Sequence, residues 1–410
     1  MKQFLTLIAA LLFGFSFAQQ RTLTIAGFPN LTDAIEAAVA VYEEQNPDVD
    51  VQVVAKQYTD HHSALLTALA SGSGASDVTA IAIDYISQFA SAGGLVDLSQ
   101  APYNAGEVTG DVVDYALTQA TTSDGRLIAI PTDLGPGTMF YRRDVLDQMG
   151  TTPEEVGQSW DSYIEFGRAL KEQGLTLIPN ASRVYEAYIR SNVPKGEGLY
   201  FDAEGDPIVN SERFVQAFEL AKTIREEGLD LNVDNQSPEW VAAFQDGQAA
   251  TDMAGFWLTG WLATNLPDTA GLWGVANLPA ESYVSWGGSF YAIPEQSDNK
   301  ELAWDFIQFL TTNPDTQLLA FETIGAFPSD SAVYDNPIFD KPVAFLGDQK
   351  AYEVAINVAE NITGVPVNPN DQLANEIVSD QLTQVLTEGK DITAALEEAQ
   401  SLIERRVSRR

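Results

Sequence analysis

The sequence predicts an α/β protein built as two lobes, and three observations carry that expectation. The chain opens with a strand, helix, strand pattern. Its 410 residues exceed the size at which one hydrophobic core usually stops growing. No low-complexity linker separates two self-contained halves, so the chain is expected to pass between its lobes more than once.

The opening pattern can be read residue by residue. Residues 22–28 place Leu23 and Ile25 on one face of a strand, and Ile35, Ala38, Val39 and Tyr42 then recur as a helical stripe. Asp33 and Glu36 have the spacing of a capping pair, which predicts Asp33 as the helix cap. Asn46-Pro47 stops the helix, and Val49, Val51 and Val53 alternate as a second strand, parallel to the first by its connection. A further helix through Leu65 and Leu69 ends at the Ser-Gly-Ser-Gly turn of residues 71–74, and residues 78–83 form a buried strand leading to Asp84. Later helices are expected over 163–172, 211–227, 301–311, 371–387 and 391–405.

Composition narrows the function. Against 58 Asp and Glu stand 22 Lys and Arg, a net charge of -36 that repels nucleic acid and anionic membrane surfaces. Hydrophobic residues at 45% and charged residues at 20% are ordinary for a globular chain. Residues 1–18 read as a cleavable signal peptide: Lys2, an apolar run from Phe4 to Phe17, and small residues Ser16 and Ala18 before the cut. With no cysteine there is no disulfide, no thiolate nucleophile and no lipid-accepting residue, so a free periplasmic protein is expected.

Catalytic signatures are thin. The only histidines, His61 and His62, are adjacent and would diverge by about 100° on a helix; they are expected at the surface or in a first helical turn. The glycine-rich turn lacks the Lys and Ser/Thr of a phosphate-gripping loop, and residues 202–206 lack the spacing of a calcium loop and read as a tight hairpin turn. No metal and no cofactor are expected. A glycosidase pair among the many carboxylates is the enzyme alternative.

Solute capture has better candidates. Trp257 in GFWLTGW and Trp286 before Gly287 combine indole faces with glycines that permit close approach, the pairing that suits a sugar ring. Asp84, Phe28 and Asn30 follow strands of an expected parallel sheet, where open α/β sheets bind ligands.

These segments also carry a resemblance. TLTIAGF with YEEQNPDVDVQVV, GASDVTAIAIDYISQFASAGGLVDLS, DGRLIAIPTDLGPGTMFYRRDVLDQMG, FQDGQAATDMAGFW, SWGGSFYAIPEQSDNKELAWDFIQFLTTNPDTQ and ALEEAQSLIERRV are similar, in order, to the family 1 extracellular solute-binding proteins. The resemblance implies a periplasmic-binding-protein-like fold of the maltose-binding type, each lobe a sheet flanked by helices. It implies crossings near 133–140 and 283–288 and after Pro328, with lobes at 19–133 plus 287–335 and at 134–286 plus 336–410. It further implies a non-enzymatic, monomeric receptor that delivers a carbohydrate to an ABC permease, with a polyol, glycerol phosphate or polyamine as alternative solutes. Asp84 and Tyr85 match the loop after the third strand, Asp133 the polar residue after the hinge proline, and Trp257 and Trp286 ligand-facing aromatic positions. Residues 179–188 match nothing in the pattern and are expected to set specificity.

Overall fold

A computed structural model describes residues 20–122 and 124–408; the leader expected at 1–18 lies outside them. Strand β1 (Arg21–Gly27) pairs in parallel with β2 (Val49–Ala55) and β3 (Val78–Ala82). The helix Leu31–Gln45 makes the crossover, its buried residues including Ile35, Ala38, Val39 and Tyr42. It begins earlier than the sequence suggests. Asn30, at φ 70°, precedes it without a side-chain cap, and Asp33 is a negative charge in the first turn, where it meets the helix dipole.

One strand organises the rest. β4 (Ile130–Arg142) is 13 residues long. Its first half pairs antiparallel with β7 (Ser285–Ala292) and β8 (Phe327–Pro328), and its second half with β5 (Thr251–Gly255) and β6 (Trp273–Ala276). β7 in turn pairs with β3, giving the order β2-β1-β3-β7-β4-β5. The β4–β7 register shifts around Pro131 and Pro136, residues that cannot donate to the ladder. These shifts fall where β4 leaves one sheet for the other.

Three buried clusters follow from this topology. Leu23, Ile25, Val78, Ile81, Ile130, Phe290 and Phe306 belong to the first lobe's core. Along β4 the pleat then divides the second lobe: Met139 and Tyr141 join a core with Tyr163, Phe214, Phe218 and Leu396, while Phe140 faces Trp240, Phe244, Trp273 and Phe339. The second lobe is therefore a sheet covered on both faces, as a strand reading near-continuously apolar requires.

Candidate functional site

The first part of the site forms where β1 and β3 end. Beyond Gly27 comes Phe28, and the helix Ile83–Ala92 starts directly after β3, placing Asp84 and Tyr85 in its first turn and leaving no intervening loop. Between these ends lies the helix Tyr58–Ser71. Its histidines were expected at the surface or in a first helical turn; they stand at the end of the first turn, and the surface reading is corrected, since both are buried. His61 Nε2 lies 2.7 Å from the Ala80 carbonyl. His62 accepts from the Ala82 N–H through Nε2 at 3.0 Å, so its Nδ1 carries the proton donated to the Tyr58 carbonyl at 2.7 Å. Burial lowers both histidine pKa values, that of His62 to about 4, against the opposing backbone bonds.

The neutral His62 ring stacks on Tyr85 with centroids 3.9 Å apart and an interplanar angle of 6°. Tyr58 stands edge-on to both Phe28 (5.1 Å) and Tyr85 (5.7 Å) and donates its hydroxyl to Asp84 Oδ2 at 3.3 Å. Burial, then the charge of Asp84, holds the Tyr58 hydroxyl well above the ordinary tyrosine range. Phe28, Tyr58, Tyr85 and Asp84 thus make one aromatic patch edged by a carboxylate.

The second part lies on the crossing strands. Asp133 pairs in register with Ser289 across β4 and β7. Its Oδ1 is buried and has no hydrogen-bond partner among the described residues. Desolvation pushes its carboxyl up to about 6, partly offset by Ser289. Burial, with the Asp133 charge adding to it, holds the Tyr58, Tyr115 and Tyr291 hydroxyls well above the ordinary tyrosine range, and the Tyr115 hydroxyl is buried without a hydrogen-bond partner among the described residues.

Trp257 is 39% exposed, and its indole N–H donates to the Trp286 carbonyl at 2.9 Å. That approach needs bare backbone. A Cβ on Gly255 would overlap both the Trp286 carbonyl and the Trp257 ring, and Gly287, at φ 141°, adopts a conformation that L side chains rarely take. Trp286 is only 8% exposed, and the guanidiniums of Arg183 and Arg190 lie over its ring at 5.5 and 5.9 Å, so the indole face expected to be open is covered. Arg183 also reaches Glu186 at 3.4 Å and Asp252 at 3.9 Å. Asp252 is fully buried and accepts from Trp240 Nε1 at 2.9 Å and from its neighbour's amide, Met253 N–H, at 2.8 Å.

Of the residues singled out from sequence, Phe28, Asp84 and Tyr85 share the first patch. Asp133, Trp257, Trp286 and Gly287 share the crossing. Asn30 is exposed at the start of its helix, with its backbone carbonyl bound to the Asp33 and Ala34 amides. Sequence reasoning missed Tyr58 and Tyr115, expected His62 at the surface or in a first helical turn, and weighed Arg183 and Arg190 only as partners for a phosphate ester. The i, i+4 spacing of Tyr58 and His62 and the seven-residue spacing of the arginines were signals in plain view. Residues 179–188, expected to set specificity, enter the helix Ser182–Ser191, which carries both arginines. Among the described residues no cluster of three or more His, Asp or Glu is arranged to hold a metal.

Two α/β lobes joined through shared antiparallel strands, with aromatic and carboxylate side chains gathered at the crossings, define a two-lobed binding protein. The chain belongs to the bacterial extracellular solute-binding protein family, whose profile it matches over residues 37–347. It is 26% identical to the arabinooligosaccharide-binding protein of Halalkalibacterium halodurans over 91% of this chain and 86% of that one. It is likewise 26% identical to the lactose-binding protein of Rhizobium radiobacter, over 85% and 83%. The crystal structure of an extracellular solute-binding protein of family 1 superposes with a TM-score of 0.84 at 26% identity, covering 94% of this chain and 99% of that one. Among the described residues no helix is long and apolar enough to cross a membrane.

Proposed function

We propose that this protein is the solute receptor of an ABC importer and that it captures a carbohydrate between its lobes. The observation that carries the reading is that Asp133 lies on β4 and Trp257 is bonded to β7 at the crossing, with the Phe28–Tyr58–Tyr85 patch at the ends of β1 and β3. Such groups meet the two needs of a sugar, acceptors for hydroxyls and flat apolar surface for C–H faces. The relatives that bind arabinooligosaccharides and lactose support the same solute class.

In this reading the lobes divide at 19–133 with 287–335 and 134–286 with 336–410, and solute shifts an open state toward a closed one that docks to the permease subunits. The receptor is a monomer, changes no covalent bond, and is released into the periplasm after removal of residues 1–18, without a lipid anchor. The test is a thermal-shift screen of mono-, di- and oligosaccharides, polyols, glycerol phosphate and polyamines, followed by titration calorimetry and recovery of the solute. A sugar that raises the melting temperature and returns unchanged is the expected result. A response to polyamines alone would overturn the carbohydrate assignment, and a cleaved solute would overturn passive binding.

A further inference from the structure

The helix Ser182–Ser191 puts Arg183 and Arg190 two turns apart on one face, both against the ring of Trp286. Their charges are balanced differently. Arg183 has Glu186 at 3.4 Å and Asp252 at 3.9 Å, whereas Arg190 has no carboxylate within 4.0 Å among the described residues, in a chain with 58 acidic side chains. Glu186, one turn back, is turned to Arg183. Arg190's one hydrogen bond is long, from Nη1 to the Ser285 carbonyl at 3.4 Å, and its Nε is buried with no partner.

A half-buried guanidinium with an unused donor is costly unless something supplies an acceptor. The Trp286 ring, whose centroid lies 5.9 Å from the guanidinium carbon, attracts the cation but supplies no hydrogen-bond acceptor to Nε. Ser285 opens β7 and pairs with Pro136 of β4, so the unpaired cation borders the crossing where the candidate site lies.

Resting on the carbohydrate reading above, we infer that Arg190 binds a carboxylate on the solute, so that the receptor prefers a sugar bearing a uronic acid, with Trp286 as the positioning residue. A carboxylate supplies the missing counter-charge and can take two parallel N–H bonds from one guanidinium, which a hydroxyl cannot.

The experiment titrates the full-length mature protein with matched pairs, each a neutral disaccharide and the same disaccharide with one or both hexoses oxidised to the uronic acid, including cellobiose with cellobiouronic acid and α-1,4-galactobiose with digalacturonic acid. At least one acidic member is expected to bind tenfold or more tightly than its neutral partner, with a preference that shrinks as sodium chloride is raised. Arg190→Gln is expected to cut that preference at least tenfold, and Arg190→Lys to retain part of it. Circular dichroism reports whether each variant folds, and if the glutamine variant does not, the wild-type salt dependence and the lysine variant still decide. Neutral sugars binding as well as or better than every acidic partner would overturn this inference and leave the carbohydrate receptor standing; a preference unaltered in Arg190→Gln would remove Arg190 from it. Failure of every sugar, acidic or neutral, would overturn both.

Discussion

The indole N–H of Trp257 donates to the backbone carbonyl of Trp286 at 2.9 Å, tying the start of the helix Leu258–Asn265 to β7, which pairs with β3 and with the first half of β4. An exposed side chain is thereby fixed to a crossing strand. Motion of the lobes about β4 and β7 would carry the Trp257 ring with it, which couples the aromatic wall to the state of the clamp.

Gly255 lies beneath that bond, and Gly255→Ala would drive a methyl group into the Trp286 carbonyl and the Trp257 ring. Overpacking against backbone is expected to destabilise by about 1–3 kcal/mol and to weaken solute binding together with it. Gly260→Ala is the control, because Gly260 is helical, exposed and has open space at its Cβ. Chemical denaturation should place it at or slightly above wild type; equal stability of the two variants would refute the account.

The two tryptophans should separate in the same assays. Trp257→Ala removes a half-exposed ring and is expected to lower stability by less than about 1 kcal/mol. It should nonetheless weaken solute binding roughly ten- to a hundredfold, equivalent to about 1.4–2.7 kcal/mol. Trp286→Ala removes a buried ring that supports two guanidiniums, and is expected to cost about 3–5 kcal/mol of stability as well as affinity. Denaturation and calorimetry on both variants check the contrast.

What could be read from sequence was what repeats or punctuates. Leu23, Ile25, Val49 and Val51 alternate, so β1 and β2 were legible, and the helix Glu212–Glu226 matches its expected span to within a residue at each end. Candidate site residues could be named where a residue type announces itself, as with the tryptophans beside glycines, whereas Asp133 came from the resemblance alone. It was not legible where tertiary pairing decides: whether Trp286 shows solvent or arginine depends on a helix about a hundred residues away in the chain. The burial of His61 and His62 was hidden for the same reason, since only the arrival of β3 brings the Ala80 carbonyl to His61 Nε2 and the Ala82 N–H to His62 Nε2.

His62→Phe preserves a ring against Tyr85 but removes the acceptor of the Ala82 N–H, leaving a buried donor unsatisfied at about 1–3 kcal/mol. The variant should also respond differently to acid. The folded pKa of His62, about 4, lies below its ordinary 6.5, so as pH falls the unfolded chain takes up the proton first. The stabilisation is full above about 6.5 and lost as pH drops through 4, a swing of about 3 kcal/mol. Unfolding curves between pH 4 and 7 should be flatter for His62→Phe than for wild type; parallel profiles would mean that His62 is not held neutral.

Asp133 has the opposite sign. Its carboxyl is raised from 3.8 to about 6, so the native protein holds that proton more tightly than the unfolded chain, and the contribution present below about 4 is lost as pH rises through 6. The loss is about 3 kcal/mol. Asp133→Asn carries no charge at any pH, and the solute-free variant is therefore expected to be more stable than wild type at pH 8 while differing little at pH 4. Binding should move the other way. A solute hydroxyl donating to the unpartnered Oδ1 favours the carboxylate, so capture by wild type releases a proton near pH 6 and affinity rises with pH up to about 7. The asparagine variant should bind roughly ten- to a hundredfold more weakly at pH 7, the worth of a hydrogen bond to a charged group, and with little pH dependence. Calorimetry from pH 5 to 8 in buffers of different ionisation enthalpy counts the released proton directly. Wild-type affinity that stays level across that range, with no proton released, would show that the solute does not reach Asp133.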